Sequence, residues 1–186
     1  MGMLHNILKP AVAAASITFL VSSQGFADEA RLSLLMDQLR VAEVNESQRL
    51  AADIQLEWEK SGSASADLLL SRGNKAMEAG QVQSAIEHFT ALTDHAPDFA
   101  EGWVSRANAF AHAEMFGPAL ADLEVALELN PQHFEAIAGL GAILEVIERP
   151  TDAYEAYQLV TPIHPHHPAV TEALKRLEPI VMGQKL

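Results

Sequence analysis

From residue 66 onward, small, large and proline positions recur at a fixed spacing of 34 residues. Pro97, Pro131 and Pro165 mark the period. Twelve positions before each lie Ala85, Ala119 and Ala153, and eight before each lie Phe89, Leu123 and Tyr157. Twenty-four before each lie Gly73, Ala107 and Gly141. Leu69, Trp103 and Ile137 supply a large residue four positions ahead of that small one. Apolar residues three and four apart, such as Phe89 with Leu92 and Tyr157 with Val160, predict two amphipathic helices in each unit. The expected pairs are 66–79 with 83–95, 101–113 with 118–129, and 135–147 with 151–163. Gly80 can take the left-handed conformation that ends a helix, each periodic proline breaks the next segment, and Pro118 fits a first turn. Gly or Ala at the small positions predicts close helix crossings, where a larger side chain costs about 1–3 kcal/mol. A 34-residue period of helical pairs means an all-α helical-hairpin solenoid, with three repeats at 66–99, 100–133 and 134–167.

A stack of repeats leaves an apolar face at each end. Val170, Leu174, Leu177 and Val181 predict a capping helix over 168–182. Before the repeats, Leu32, Leu35, Met36 and Leu39, then Leu50, Ile54 and Trp58, predict two helices within 30–60. They are joined near 44–46, Ser47 offers a start for the second, and Ser61-Gly62-Ser63 ends it. The pair, within a segment 28–62, is expected to cap the first repeat. The alternative is a mobile arm or a dimerisation element, and Trp58 decides: a core tryptophan is shielded in one chain, an interface tryptophan only in two.

These units resemble tetratricopeptide repeats, which carry a large residue at position four, Gly or Ala at eight, Ala at twenty, an aromatic at twenty-four and Pro at thirty-two. Leu69, Gly73, Ala85, Phe89 and Pro97 match in the first repeat; Trp103, Ala107, Ala119, Leu123 and Pro131 in the second; Ile137, Gly141, Ala153, Tyr157 and Pro165 in the third. The resemblance spans residues 66–167. It departs at Arg72 and Arg106, where Leu is usual, and at Glu114 and Glu148, which stand where Gly80 stands in the first repeat.

The resemblance implies that the first helix of each pair lines a concave, ligand-binding face. The residues it places there for a partner are Ser71 and Asn74, then Glu101, Ser105, Asn108 and His112, then Ala142. Asn74 and Asn108 stack in register, and an Asn amide can both donate to and accept from an extended peptide backbone. Some family members clamp a terminal carboxylate with Lys or Arg on this face. None stands at those positions here, and Asp67, Glu78, Glu101, Glu135 and Glu145 make the face acidic. A partner with Lys, Arg or mixed polar and apolar character fits better, and Ala138, Gly139 and Ala142 leave room for close approach.

The first residues change the picture of location. Lys9, an apolar run at 11–21, a polar stretch and then Gly25 and Ala27 have the order of a secretory signal over 1–27, and the run is too short to span a bilayer, which takes about 20 residues. With the family resemblance this implies a small exported bacterial protein of the periplasm, without stable membrane insertion after cleavage. The chain has 12 basic and 25 acidic residues and a formal net charge of −13. Such a charge argues against nucleic acid or anionic lipid as partner. It has no cysteine, so neither disulfide nor thiol chemistry enters. His164-Pro165-His166-His167 could ligate a metal, but it reads better as a polar turn. No nucleophile motif, phosphate loop or zinc-helix pattern appears. The expectation is a non-enzymatic module without cofactor or metal that binds an exported protein or peptide. The alternatives are a self-associating assembly factor, homodimeric through the N-terminal helices, and an accessory metal-binding protein.

Overall fold

The computed structural model describes residues 22–183. The charged and apolar parts of the expected leader, within residues 1–21, lie outside the described residues. Among the described residues all regular structure is helical: α1 (Ser22–Val41), α2 (Val44–Trp58), α3 (Ala64–Glu78), α4 (Val82–His95), α5 (Ala100–His112), α6 (Phe116–Leu129), α7 (Phe134–Val146), α8 (Pro150–Val160) and α9 (Pro168–Gly183). None of these helices is long and apolar enough to cross a membrane. The pairs α3/α4, α5/α6 and α7/α8 are the three expected hairpins, each packed on the next, with α9 against α8. The solenoid is therefore all-α, as the period predicts.

The periodic positions form the contacts. Ala85, Ala119 and Ala153 are each fully buried, and Phe89, Leu123 and Tyr157 are buried beside them. Gly73 lies against the ring of Phe89, and a Cβ at Gly141 would come within 2.6 Å of Tyr157 Cε1. In the second repeat Ala107 and Leu123 share one core cluster. Glycine thus goes with an aromatic partner and alanine with leucine. The turns between paired helices keep one geometry: Gly80 has φ +69°, and Glu114 and Glu148 take the same left-handed conformation at 58° and 60°. The missing glycines do not shift those turns, although each Glu bears a left-handed strain of about 1–2 kcal/mol.

Arg106 also has a structural explanation. Its Nε and Nη2 donate to the two oxygens of Asp122 at 2.7 and 2.8 Å, and its Nη1 donates to Thr93 Oγ1 at 2.7 Å. The guanidinium lies 4.8 Å from the centre of the Trp103 ring. One side chain therefore ties α5 to α6 and α4, in place of the usual leucine. Arg72 is exposed.

Two expectations about the N-terminal pair are corrected. First, α2 begins at Val44, a turn before Ser47. Ser47 is buried and its Oγ donates to the Val44 carbonyl, inside the first turn rather than capping it. Second, the pair does not cap the first repeat. Leu50, Ile54 and Trp58 join a core cluster with Phe134, Ile137, Val160 and Val170. Trp58 stacks on His133 with ring centres 4.1 Å apart and meets Phe134 at 4.9 Å. The reason is on α3, whose exposed positions are mostly polar, with Ser65, Asp67, Arg72 and Lys75 against a single exposed leucine, Leu68. The first repeat already solvates its own end, and the apolar side of α2 finds its match at the start of α7. Trp58 is 8% exposed in the single chain, so its shielding needs no second copy.

Candidate functional site

The docking of α2 makes one wall of the site. The opposite wall is the concave face, built by α3, α5 and α7. Between them lies a cavity of about 570 Å³, lined on one side by Gln48, Gln55 and Glu59 and on the other by Asn74, Glu101, Ser105, Asn108 and Glu135, with His164 and His167 at its end. A second cavity of about 380 Å³ adjoins it, sharing Val104, Asn108, Glu135 and His167 and floored by Ala111, Ala138, Gly139 and Ala142. A third, of about 260 Å³, continues along α3 past Asn74 and Met77. Among the described residues, no Lys or Arg lines any of these three cavities.

The structure brings Asn74, Ser105 and Asn108 together around this groove, with Ala142 in the adjoining cavity. The side-chain amides of Asn74 and Asn108 make no hydrogen bond among the described residues. Ser71 lies outside these linings. His112 is exposed at the far end of α5, its Nδ1 2.9 Å from the Asn108 carbonyl oxygen. Glu101 lines the cavity, but its carboxylate is engaged internally. Oε1 accepts from Gln55 Nε2 at 3.0 Å and from Ser105 Oγ at 3.5 Å, and Oε2 lies 3.1 Å from His133 Nε2. Glu145 is engaged internally as well: it accepts from Arg176 at 2.7 and 2.8 Å and from the Tyr157 hydroxyl at 2.8 Å, joining α7, α8 and α9. Tyr157 accordingly holds its proton well above the ordinary phenol range, through burial first and the neighbouring Glu145 second.

A repeated pair of residues at the edge of this groove escaped the reading of the sequence. His133 Nδ1 accepts from the Ala136 N–H at 3.2 Å, and His167 Nδ1 accepts from the Val170 N–H at 3.3 Å. Each imidazole thus caps the start of a helix, α7 or α9. An Nδ1 that accepts leaves the proton on Nε2, which faces Glu101 in the first case and Glu135, at 3.4 Å, in the second. The signal was available: His133 and His167 are 34 apart, and so are Glu101 and Glu135. The hydrogen bond from His167 holds the Glu135 carboxyl below its usual range against the opposing effect of burial.

His164 is different. It is 3% exposed, packed edge-on against Phe134 and His167, and neither ring nitrogen has a hydrogen-bond partner among the described residues. Burial, with His167 adding to it, lowers its pKa to about 4. Among the described residues no group of three His, Cys, Asp or Glu converges to hold a metal ion.

Comparison with known proteins agrees with this architecture. Residues 70–117 match the tetratricopeptide-repeat family model. A TPR repeat-containing protein of Rhizobium etli is 29% identical over 156 residues, which is 83% of this chain and 76% of that protein. The small glutamine-rich tetratricopeptide repeat-containing protein 2 of Saccharomyces cerevisiae is 32% identical over 113 residues, 61% of this chain but only 32% of that protein. Among solved structures, the first TPR domain of Spaghetti (RPAP3), bound to the HSP90 peptide SRMEEVD, superposes with a TM-score of 0.62 at 25% identity, covering 64% of this chain and 95% of that one. The Sgt2 TPR domain of Aspergillus fumigatus gives a TM-score of 0.62 at 23% identity over 66% of this chain and 83% of that one. With its 34-residue register, its stacked hairpins and a matched repeat sequence over residues 70–117, the chain has the fold of a tetratricopeptide-repeat solenoid.

Proposed function

We propose that this chain is a protein-interaction module that receives a segment of another protein on the concave face of its solenoid. The observation that carries the reading is the position of Asn74 and Asn108. They stand on neighbouring first helices, in one groove, with side-chain amides that make no hydrogen bond among the described residues. A pair of free amides at the repeat spacing can hold an extended backbone by donating to its carbonyls and accepting from its N–H groups. The likeness to a domain solved with a peptide supports a peptide as the kind of ligand. That peptide ends in acidic residues, however, and a groove without Lys or Arg disfavours such a ligand here.

The partner is an exported protein and the place of work is the periplasm. The leader-like order of residues 1–27 supports this part of the proposal. Fusion of residues 1–60 to a reporter that is active only outside the cytoplasm checks it. An inactive reporter would remove the periplasmic assignment and leave the binding reading standing.

The test of binding is a photocrosslinker at position 108, with the chain expressed in its own host and adducts read by mass. The expected result is one dominant adduct that vanishes when the crosslinker is moved to Glu124 on the outer helix α6. Asn108→Ala should weaken capture of the same partner without lowering the melting temperature. A self-adduct alone would refute the module and return the chain to self-assembly.

A further inference from the structure

The two adjoining cavities differ in chemistry, and the difference specifies a ligand class. The cavity under α2 presents acceptors. Three carboxylates border it, from Glu59, Glu101 and Glu135. Gln55 donates from its Nε2 to Glu101, so the atom left over is its Oε1, a buried acceptor without a partner among the described residues. The Glu59 carboxylate makes no hydrogen bond or ion pair among the described residues, and its pKa is raised by burial and by the nearby Glu101. His164, almost wholly buried at the cavity end, keeps both ring nitrogens unpartnered. Its depressed pKa keeps the imidazole neutral at pH 7, so it adds no positive charge to the lining. Unsatisfied buried acceptors are costly until a donor reaches them, at about 1–3 kcal/mol each. The second cavity is instead floored by Ala111, Ala138, Gly139 and Ala142, with Val104 at its side. Small side chains there leave room that a bulky apolar group would fill.

Resting on the concave-face reading above, we infer that the groove binds a partner segment carrying an arginine or lysine beside a large apolar side chain. The cation enters the cavity walled by α2, among Glu59, Gln55 and Glu135. The apolar group lies over Ala138 and Ala142. Arginine fits first, because its five fixed donors can meet several acceptors at once. The docked N-terminal pair is then part of the site: without α2, neither Gln55 nor Glu59 would face the solenoid.

The experiment is selection of a phage-displayed library of random decapeptides on the immobilised full chain, followed by binding of the enriched peptides as synthetic probes. The expected probes carry Arg or Lys within two positions of Leu, Ile, Met or Phe. Replacing that Arg by citrulline should weaken binding at least tenfold. The paired substitution Glu59→Gln with Glu135→Gln should do the same, while circular dichroism shows the helices intact. Ala142→Trp, at an exposed position, should plug the apolar cavity and abolish binding. Enriched peptides without a basic residue that are still blocked by Ala142→Trp would overturn this inference and keep the concave-face reading. Peptides indifferent to Ala142→Trp would overturn both, and so would a library that yields no binder.

Discussion

Two glycines on one helix separate packing from helix propensity. Gly139 and Gly141 both lie within α7. An alanine Cβ at 139 meets only Leu123 Cδ1, at 4.0 Å, an ordinary contact. At 141 it meets Tyr157 Cε1 at 2.6 Å and Cδ1 and Cζ at 2.8 Å, so the ring must shift. Both substitutions gain about 1 kcal/mol of helix propensity. Only Gly141→Ala adds overpacking, at about 1–3 kcal/mol. Gly139→Ala should therefore stabilise the chain and Gly141→Ala should not, the two differing by about 2 kcal/mol. At about 2–4 °C per kcal/mol for a chain of this size, their melting temperatures should differ by about 4–8 °C. The second repeat supplies a control, since its equivalent pair is Ala107 over Leu123. Gly141→Ala combined with Tyr157→Leu should show a favourable coupling of about 1 kcal/mol or more over the sum of the single changes. Thermal unfolding by circular dichroism compares the unsubstituted chain with the three single variants and the double one. Equal melting temperatures for the two single alanine variants would refute the close crossing.

Arg106→Met leaves Asp122 buried and unpaired, and urea unfolding should show a loss of about 3–5 kcal/mol; Arg106→Leu with Asp122→Leu should recover most of it. Trp58→Ala removes the ring that stacks on His133 and should cost about 3–5 kcal/mol, with faster proteolytic cleavage near residues 61–63 if the N-terminal pair is held mainly by this contact. His164 has a folded pKa of about 4 against an ordinary 6.5, so the unfolded chain takes up its proton first as pH falls. Stability should decline between about pH 6.5 and 4, and His164→Phe should flatten that slope in a pH series of melting curves.

The concave groove was legible in part. Asn74, Ser105 and Asn108 were placed on it by repeat position, and they line it. Glu101 was also placed there, yet its carboxylate is taken up by hydrogen bonds with Gln55 and His133, residues on other elements. The absence of Lys and Arg was visible in the sequence. The presence of a second wall was not, because it depends on where α2 docks.

The sequence by itself determined the helices, their pairing and the stack. These follow from local spacing: amphipathic stripes three and four residues apart, breakers between them, and a period that repeats each unit's contacts on the next. Tertiary structure alone decided which unit the N-terminal helices cover, which carboxylates remain free for a partner, and why Arg106 replaces a leucine. Each of these depends on a side chain meeting one on another helix. Trp58 against Phe134, Arg106 against Asp122 and Arg176 against Glu145 carry no periodic signal, since each pairing occurs once and is selected by shape and charge where two helices meet.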